Sequence, residues 1–457
     1  MTALWTSADI AKAVGGVAQG DFAAGGVAFD SREVGPGDLF IALKGEVTDG
    51  HKFVDQAFVQ GAAGAIVSTP VAHPHVLVGD ATAALNALGI AARARTAAKI
   101  AGVTGSVGKT GTKEALAAAL ARANKGPVHR SVKSYNNHTG VPLSLARMPA
   151  DTRFGVFEMG MNHAGEIAAL TRLVRPHVAL ITAIAPAHIE NLGSMEAIAD
   201  AKGEIFQGLE PGGTAIVPFD TSHRDQLLGH ARRHADRVVT FGRDAAADVH
   251  ARDVVQMDHG TMVVAALPGA EVSFTLAQPG DHWVSNALAV LATVQALGGD
   301  LAAAGLALGE LEGLAGRGAR HRLALPGGDA LLIDESYNAN SVSMAATLAV
   351  LGAQPARRRI AILGEMRELG AESAALHAGL AGPIMAAEVS TAILVGPGMA
   401  PLADALSGKI EVYHLADAAA ALALAQQLVR AEDAVLVKGS NAVGLAHVVA
   451  GLTAGGE

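Results

Sequence analysis

The stretch Gly102-Val103-Thr104-Gly105-Ser106-Val107-Gly108-Lys109-Thr110-Gly111-Thr112-Lys113-Glu114 limits what this chain can fold into more than any other. Lys99 to Val103 reads as a short buried strand, and Glu114 to Arg122 as an Ala/Leu-rich helix with its apolar positions on one face. A glycine-rich loop between strand and helix lets backbone N–H groups curl round an anion at the helix N-terminus, where unpaired donors and the helix dipole already favour negative charge. In such a loop Lys109 reaches terminal phosphates and the Thr110 hydroxyl binds a magnesium ion. The general pattern G-x-x-x-x-G-K-[ST] asks for glycine five residues before Gly108, where this chain has Val103 between Gly102 and Gly105. A ligand-free turn would leave Gly108-Lys109-Thr110 in this setting unexplained.

The rest of the chain supplies room for a nucleotide-dependent enzyme. Its 457 residues suit about three domains, and half of them are hydrophobic, chiefly Ala, Leu and Val. From Ala97 strands alternate with helices (Lys99 to Gly105, Glu114 to Arg122, Phe154 to Met159, Glu166 to Val174, Val178 to Ile184, on to Phe241), which predicts a mainly parallel sheet covered on both faces. Three runs (Val249 to Val255, Met262 to Ala266, Val272 to Leu276) read as an antiparallel β insertion, closed by a helix from Asp281 to Leu297. A second alternating unit starts near Gly316 with Ala330 to Asp334, Met344 to Leu351, Ile360 to Leu363, Leu376 to Met385, Ala392 to Val395 and Val435 to Val437. Ahead of both lies a small α/β unit with strands Leu39 to Leu43, Ala65 to Ser68 and Val76 to Val78. The expected division is α/β throughout, with domains 1–96, 97–316 and 317–457.

Composition removes several alternatives. A net charge of −9 argues against a nucleic-acid footprint. No cysteine occurs, so disulfides, thiolate zinc sites and cysteine nucleophiles are all excluded. The N-terminus lacks a basic then apolar leader, and Ala416 to Val429 is too short and too interrupted to cross a bilayer. A cytoplasmic monomer without membrane insertion is expected. No G-x-G-x-x-G opens the last unit, which argues against a dinucleotide cofactor.

Candidate ligands should lie at carboxyl ends of strands. Glu158, closing Phe154 to Gly160, and His188, after Val178 to Ile184, are so placed, and an oxygen ligand suits magnesium better than a ring nitrogen. Asp30-Ser31-Arg32 sits in a turn, where it either binds a phosphate through its hydroxyl and guanidinium fork or only stabilises the turn; both readings stay open. Lys202 by itself reads as a solvated helix lysine.

Taken together, these segments resemble the Mur ligases over essentially the whole chain. The resemblance rests on Gly102 to Glu114, Asp30-Ser31-Arg32, Asp49-Gly50-His51, Tyr135-Asn136-Asn137 with Gly140 to Leu143, Glu158-Met159-Gly160, Ala187-His188, Ala201 to Ile205 and Lys438-Gly439-Ser440. Asp334-Glu335-Ser336-Tyr337-Asn338-Ala339-Asn340, with Ser343-Met344, resembles the branch that adds a D-alanyl-D-alanine dipeptide. The sister branch adding diaminopimelate carries an Asp-Asn-Pro-Arg string, which this chain lacks. The family commonly has Asn at Val107, Thr at Gly111 and Asp at Glu335.

The resemblance implies a first domain for the UDP end of the substrate, a central ATPase and a Rossmann-like third domain. Its implied substrates are UDP-N-acetylmuramoyl-tripeptide and D-alanyl-D-alanine, with ATP and Mg2+. Implied ATP contacts are Thr104, Gly105, Ser106, Val107, Gly108, Lys109, Thr110, Gly111, Asn286 (of the His282 to Asn286 segment), Arg320 and Glu335. Implied metal-site residues are Thr110, Glu158, His188 and Lys202, the last as a carbamate, and Lys109, Lys202 and Arg320 are the implied catalytic residues. Ser31, Arg32, Asp49, His51, Asn136, Asn137, Tyr337, Asn338 and Asn340 are implied to touch substrate. Other readings are a regulatory NTPase, a dehydrogenase on tandem doubly wound domains, and the ligase that forms the tripeptide.

Overall fold

A computed structural model describes residues 3–45, 48–123, 125–257 and 260–454. Three main sheets follow one another along the chain, each built chiefly of parallel strands joined by helices. The first takes the order Val17–Gln19, His75–Leu77, Gly64–Val67, Asp38–Ile41, Gly26–Ala28, antiparallel only at its Val17–Gln19 edge. Asp49 starts a short 3-10 turn, Gly50–Phe53, by accepting from the His51 amide at 3.0 Å, and the helix Val54–Val59 continues from it.

The central sheet runs Ala270–Leu276, Gly260–Leu267, Val249–Met257, Arg237–Gly242, Thr214–Pro218, Val178–Ile181, Lys99–Thr104, Phe154–Glu158, Val128–Arg130. The antiparallel runs are therefore no separate insertion. Val249–Met257 pairs in parallel with Arg237–Gly242, and two antiparallel strands then extend the same sheet. Helix Asp281–Leu297 buries Val284, Leu288, Leu291 and Val294 against this sheet and against the phosphate-loop helix.

The helix after the glycine loop spans Lys109–Arg122, starting five residues before the sequence expectation. Its first turn, Lys109-Thr110-Gly111-Thr112, is too polar to read as helix, but the loop needs it there to aim N–H groups at an anion. In the third sheet the order is Ala319–Leu325, Gly328–Glu335, Asp433–Lys438, Arg358–Gly364, Thr391–Val395, Glu411–Leu415, antiparallel only in the first pair. The strand Ala319–Leu325 escaped the sequence reading because Arg320, His321 and Arg322 look solvated, as an edge strand permits. The helix expected over Leu376 to Met385 is two, Ser373–Ala378 and Ala381–Ala386, divided at Gly379 and Leu380 just before Pro383.

Candidate active site

Strand register assembles the central half of the site. Glu158 pairs with Val103 and Ile181 with Thr104, so the ends of three adjacent strands deliver Glu158, the glycine loop and Thr182 to one edge. Gly108 holds φ +82° at the helix N-cap, a left-handed conformation that costs glycine nothing. Gly111 lies under the Trp283 ring, where a Cβ would come within 2.9 Å of a ring carbon, which explains glycine here where the family commonly has threonine. Val107 turns its carbonyl to the Thr182 hydroxyl at 2.5 Å.

Lys109 donates to the Gly105 carbonyl at 2.7 Å across the loop. Burial lowers its pKa, Glu158 opposes that shift, and Arg317 adds to it. Thr110 Oγ1 donates to Glu158 Oε2 at 2.8 Å, while Asn136 Nδ2 donates to Oε1 at the same distance. The buried hydroxyls of Thr104 and Ser106 lack a hydrogen-bond partner among the described residues. Buried polar groups normally have one, so these two point to a polar ligand at the loop.

A cavity of about 530 Å³ opens from this loop and is closed on its far side by the third domain. The central domain contributes Ser106 to Lys109, Gly111, Asn136, Asn137, Glu158, His188, Lys202 and Asn286; the third contributes Arg317, Glu335, Tyr337, Asn338, Asn340 and Lys438. Asn286 stands beside Gly108, whose Cβ would lie 2.9 Å from the Asn286 carboxamide oxygen. His282 faces the same cavity, and burial depresses its pKa to about 4, so the ring is neutral at pH 7. Pairing of Glu335 with Lys438 across adjacent strands places the Lys438 ammonium 3.4 Å from Glu335 and 2.9 Å from the Asn338 carbonyl. Asn340 also caps the helix Ser341–Gly352, accepting from the Ser343 amide at 2.9 Å.

Lys202 is 1% exposed and has no carboxylate partner among the described residues; its ammonium meets the Met161 sulfur at 3.4 Å. Burial, then the Lys109 charge, pushes its pKa well below the usual lysine range. The solvated lysine suggested by local sequence is therefore a buried amine facing the cavity. His188, at φ +60°, turns Nδ1 to Glu368 of the third domain. Among the described residues no three His, Asp or Glu side chains cluster to hold a metal. The oxygen donors that do meet are Thr110 and Glu158, a pair suited to magnesium, which prefers oxygen and keeps several waters.

Arg320 is not brought to this cavity. It leaves the edge strand beside Ile333, contacts Gln354 and lines a small hollow that adjoins the cavity, sharing His282, Trp283, Glu335 and Thr347 with it. Arg317, three residues earlier, does line the cavity, close enough to Lys109 for its charge to lower that lysine's pKa. It stacks 4.2 Å over the Tyr337 ring in a loop pinned by Gly316 N–H to Asp334 at 2.7 Å. The signal for it was present in Gly316-Arg317-Gly318, an arginine between two glycines just ahead of a strand.

The first-domain candidates lie apart from the cavity. Arg32 is exposed and forks onto Asp30, and Ser31 donates to Gln56 at 3.3 Å. His51 is held at both nitrogens, by Asp49 at 2.7 Å and by the Ser68 amide at 2.9 Å, so the ring ties a turn to a strand end.

Comparison with known proteins agrees with this geometry. Family models match as Mur ligase middle domain over residues 103–294, Mur ligase glutamate ligase domain over 321–441, and Mur ligase family catalytic domain over 24–125. A UDP-N-acetylmuramoyl-tripeptide–D-alanyl-D-alanine ligase of Escherichia coli is 36% identical over 457 residues, covering 99% of both chains. One of Bacillus subtilis is 37% identical over 76% of this chain and 74% of its own. Among solved structures, MurF from Acinetobacter baumannii superposes with TM-score 0.85 at 31% identity, covering 98% of this chain and 99% of that one. The MurF ligase of Thermotoga maritima, in complex with ADP, gives 0.78 at 26% identity over 94% and 97%.

Proposed function

The chain belongs to the Mur ligase family, and from that premise we infer that it joins D-alanyl-D-alanine to UDP-N-acetylmuramoyl-tripeptide at the expense of ATP. The product is the UDP-linked pentapeptide used in peptidoglycan synthesis. One observation carries the reading: the Glu335–Asn340 turn, the segment that sets the dipeptide-adding branch apart, lines the same cavity as the phosphate loop. The regulatory NTPase and the dehydrogenase have no counterpart among these relatives, and the tripeptide-forming sister is disfavoured by them.

A carboxylate resists attack by an amine, so ATP first phosphorylates it to an acyl phosphate. We assign Lys109 and Arg317 to neutralising charge on the transferring phosphoryl group, where positioned cations act most strongly. Thr110 and Glu158 would hold a magnesium ion, which would supply further charge neutralisation at the phosphates. Lys202, buried and with its pKa held well below the usual lysine range by burial and the Lys109 charge, more readily presents the unprotonated amine that takes up carbon dioxide as a carbamate with release of one proton. The resulting anion would sit where an ammonium is repelled by Lys109. His188 turns toward this region and is assigned to orienting it. Asn286 and His282 are assigned to the base of ATP, Glu335 to its ribose side, and Asn136, Asn137, Tyr337, Asn338 and Asn340 to the peptide. The first domain, residues 1–96, would take the UDP end through Ser31 and Arg32, with Asp49 and His51 shaping its wall. The dipeptide amine then attacks the acyl phosphate and expels phosphate.

Among the described residues no helix is long and apolar enough to cross a membrane; we read the enzyme as a cytoplasmic monomer. The test is phosphate release with the UDP-tripeptide and D-alanyl-D-alanine supplied singly and together. Release only when both are present, with a pentapeptide product, is expected. Release indifferent to either would overturn the ligase reading.

A further inference from the structure

Lys113 is fully buried, yet it takes no part in the chemistry above. It follows Lys109 by four residues on the phosphate-loop helix, so both rise from one face of its first turns. Its ammonium donates to the carbonyls of Ser131 at 2.9 Å and Lys133 at 2.6 Å, and pairs with the carboxylates of Glu114 at 2.9 Å and Glu158 at 3.9 Å. A charge is costly to bury, and a core that only needed volume here would hold an apolar side chain.

What Lys113 grips is the segment Ser131–Asn137, and that segment touches all three domains. Lys133 and Tyr135 reach Glu33 of the first domain, the latter donating at 2.8 Å. Ser134 meets the Tyr337 hydroxyl of the third. Asn136 holds Glu158, whose amide in turn donates to Ser131 Oγ at 3.2 Å. The contacts close a ring: helix to Lys113, Lys113 to segment, segment to Asn136, Asn136 to Glu158, and Glu158 through Thr110 back to the helix. A shift of the segment against the helix would break the ring in two places.

We propose that Lys113 is a positioning residue that locks this segment to the phosphate-loop helix, so that filling the nucleotide site sets where the segment presents its contacts to Glu33 of the first domain and Tyr337 of the third. The proposal rests on the nucleotide-site assignment above, and its test separates the two. Affinity for the UDP-tripeptide is measured by titration calorimetry with and without a non-hydrolysable ATP analogue and magnesium. This is done for the wild type, Lys113→Met and Tyr135→Phe. Lys113→Met leaves Glu114 its partner Arg130 at 2.5 Å, and takes from Glu158 a cation 3.9 Å away while Thr110 and Asn136 go on donating to that carboxylate.

In the wild type the analogue should tighten UDP-tripeptide binding about five- to a hundredfold, the usual range for coupled sites. Lys113→Met should bring that ratio to within about twofold of one while binding the analogue alone nearly as well as the wild type. Tyr135→Phe, which cuts one of the two links to Glu33 and leaves that of Lys133, should lower the ratio partway. A merely structural lysine would weaken each ligand alone and leave the ratio intact. An unchanged ratio in both variants, or a ratio of one in the wild type, overturns the proposal. An analogue that fails to bind the wild type overturns the nucleotide site itself, and the proposal with it.

Discussion

The two seams of this molecule are built from different materials. Between the first and central domains the hydrophobic core is continuous: Leu143 and Ala146 of the central helix Gly140–Ala146 belong to one cluster with Trp5, Ile10, Leu85 and Leu88. The Trp5 indole donates to the Ala146 carbonyl at 2.8 Å, and Arg95 ties the Leu4 and Met148 carbonyls together. Between the central and third domains, no hydrophobic cluster among the described residues spans the boundary. That seam consists of polar contacts, Ser134 with Tyr337 and His188 with Glu368, set round the cavity. A shared core fixes two bodies, whereas a wet polar seam lets one body open and close over ligands. The seam that carries the chemistry is the one the fold leaves loose.

The comparison is broken most directly by substitutions that should damage one seam's property and spare the other's. Lys109→Ala removes a cation at the phosphates and no core contact. It should lower turnover by about a thousandfold or more, the scale of losing a transition-state charge partner. Its melting temperature should stay within about 2 °C of the wild type. Substantial ligase activity in this variant would end the phosphate-loop assignment.

Lys202→Ala should cost about a hundredfold or more in turnover, and short carboxylic acids should partly restore it by occupying the anion position. Removing carbon dioxide from the buffer should slow the wild type reversibly. Near-normal turnover in the variant would show that the buried amine is only a filler of the cavity wall. Arg317→Ala against Arg320→Ala comes next. The first should lose about a hundredfold in kcat, the second no more than about threefold, since it contacts Gln354 outside the cavity. The reverse order would return the phosphate role to Arg320.

These arginines show where sequence was enough and where it was not. The phosphate loop, Glu158 and the alternating strands were legible because backbone geometry and strand ends dictate residue type locally. The resemblance implies Arg320, but the hairpin Ala319–Leu325 with Gly328–Glu335 sets that side chain against Gln354 and leaves Arg317 at the cavity. Lys202 could not be read as buried, because the Met161 sulfur that meets its ammonium lies far from it in the sequence. His188 looked like a metal ligand; only the third domain's position shows Glu368 against its ring.

At the fixed seam, Leu143→Ala empties space in the shared cluster, where Leu143 is 1% exposed. It should lower stability by about 2–5 kcal/mol, measured by urea unfolding. The kcat of the folded fraction should remain within about twofold, because Leu143 does not line the cavity. A large fall in kcat with intact stability would mean that the first seam also moves during turnover.

At the loose seam, Glu368→Ala should do least to the fold. The carboxylate is about half exposed and meets His188 across water-accessible ground, and such pairs contribute only about 0–1 kcal/mol. Urea unfolding should therefore be unchanged within error. What can change is how often the third domain sits closed, since Glu368 and the Glu190–Glu368 backbone contact at 3.3 Å hold it at the His188 side while Tyr337 holds it at the other. A loss of about 1 kcal/mol would reduce the closed fraction about fivefold at most, visible as a larger radius of gyration by small-angle X-ray scattering without ligands. Adding both substrates and an ATP analogue should restore the wild-type radius, because ligand contacts across the cavity outweigh one exposed pair. If the variant instead unfolds at distinctly lower urea, the third domain is held as firmly as the first, and the contrast between the seams is wrong.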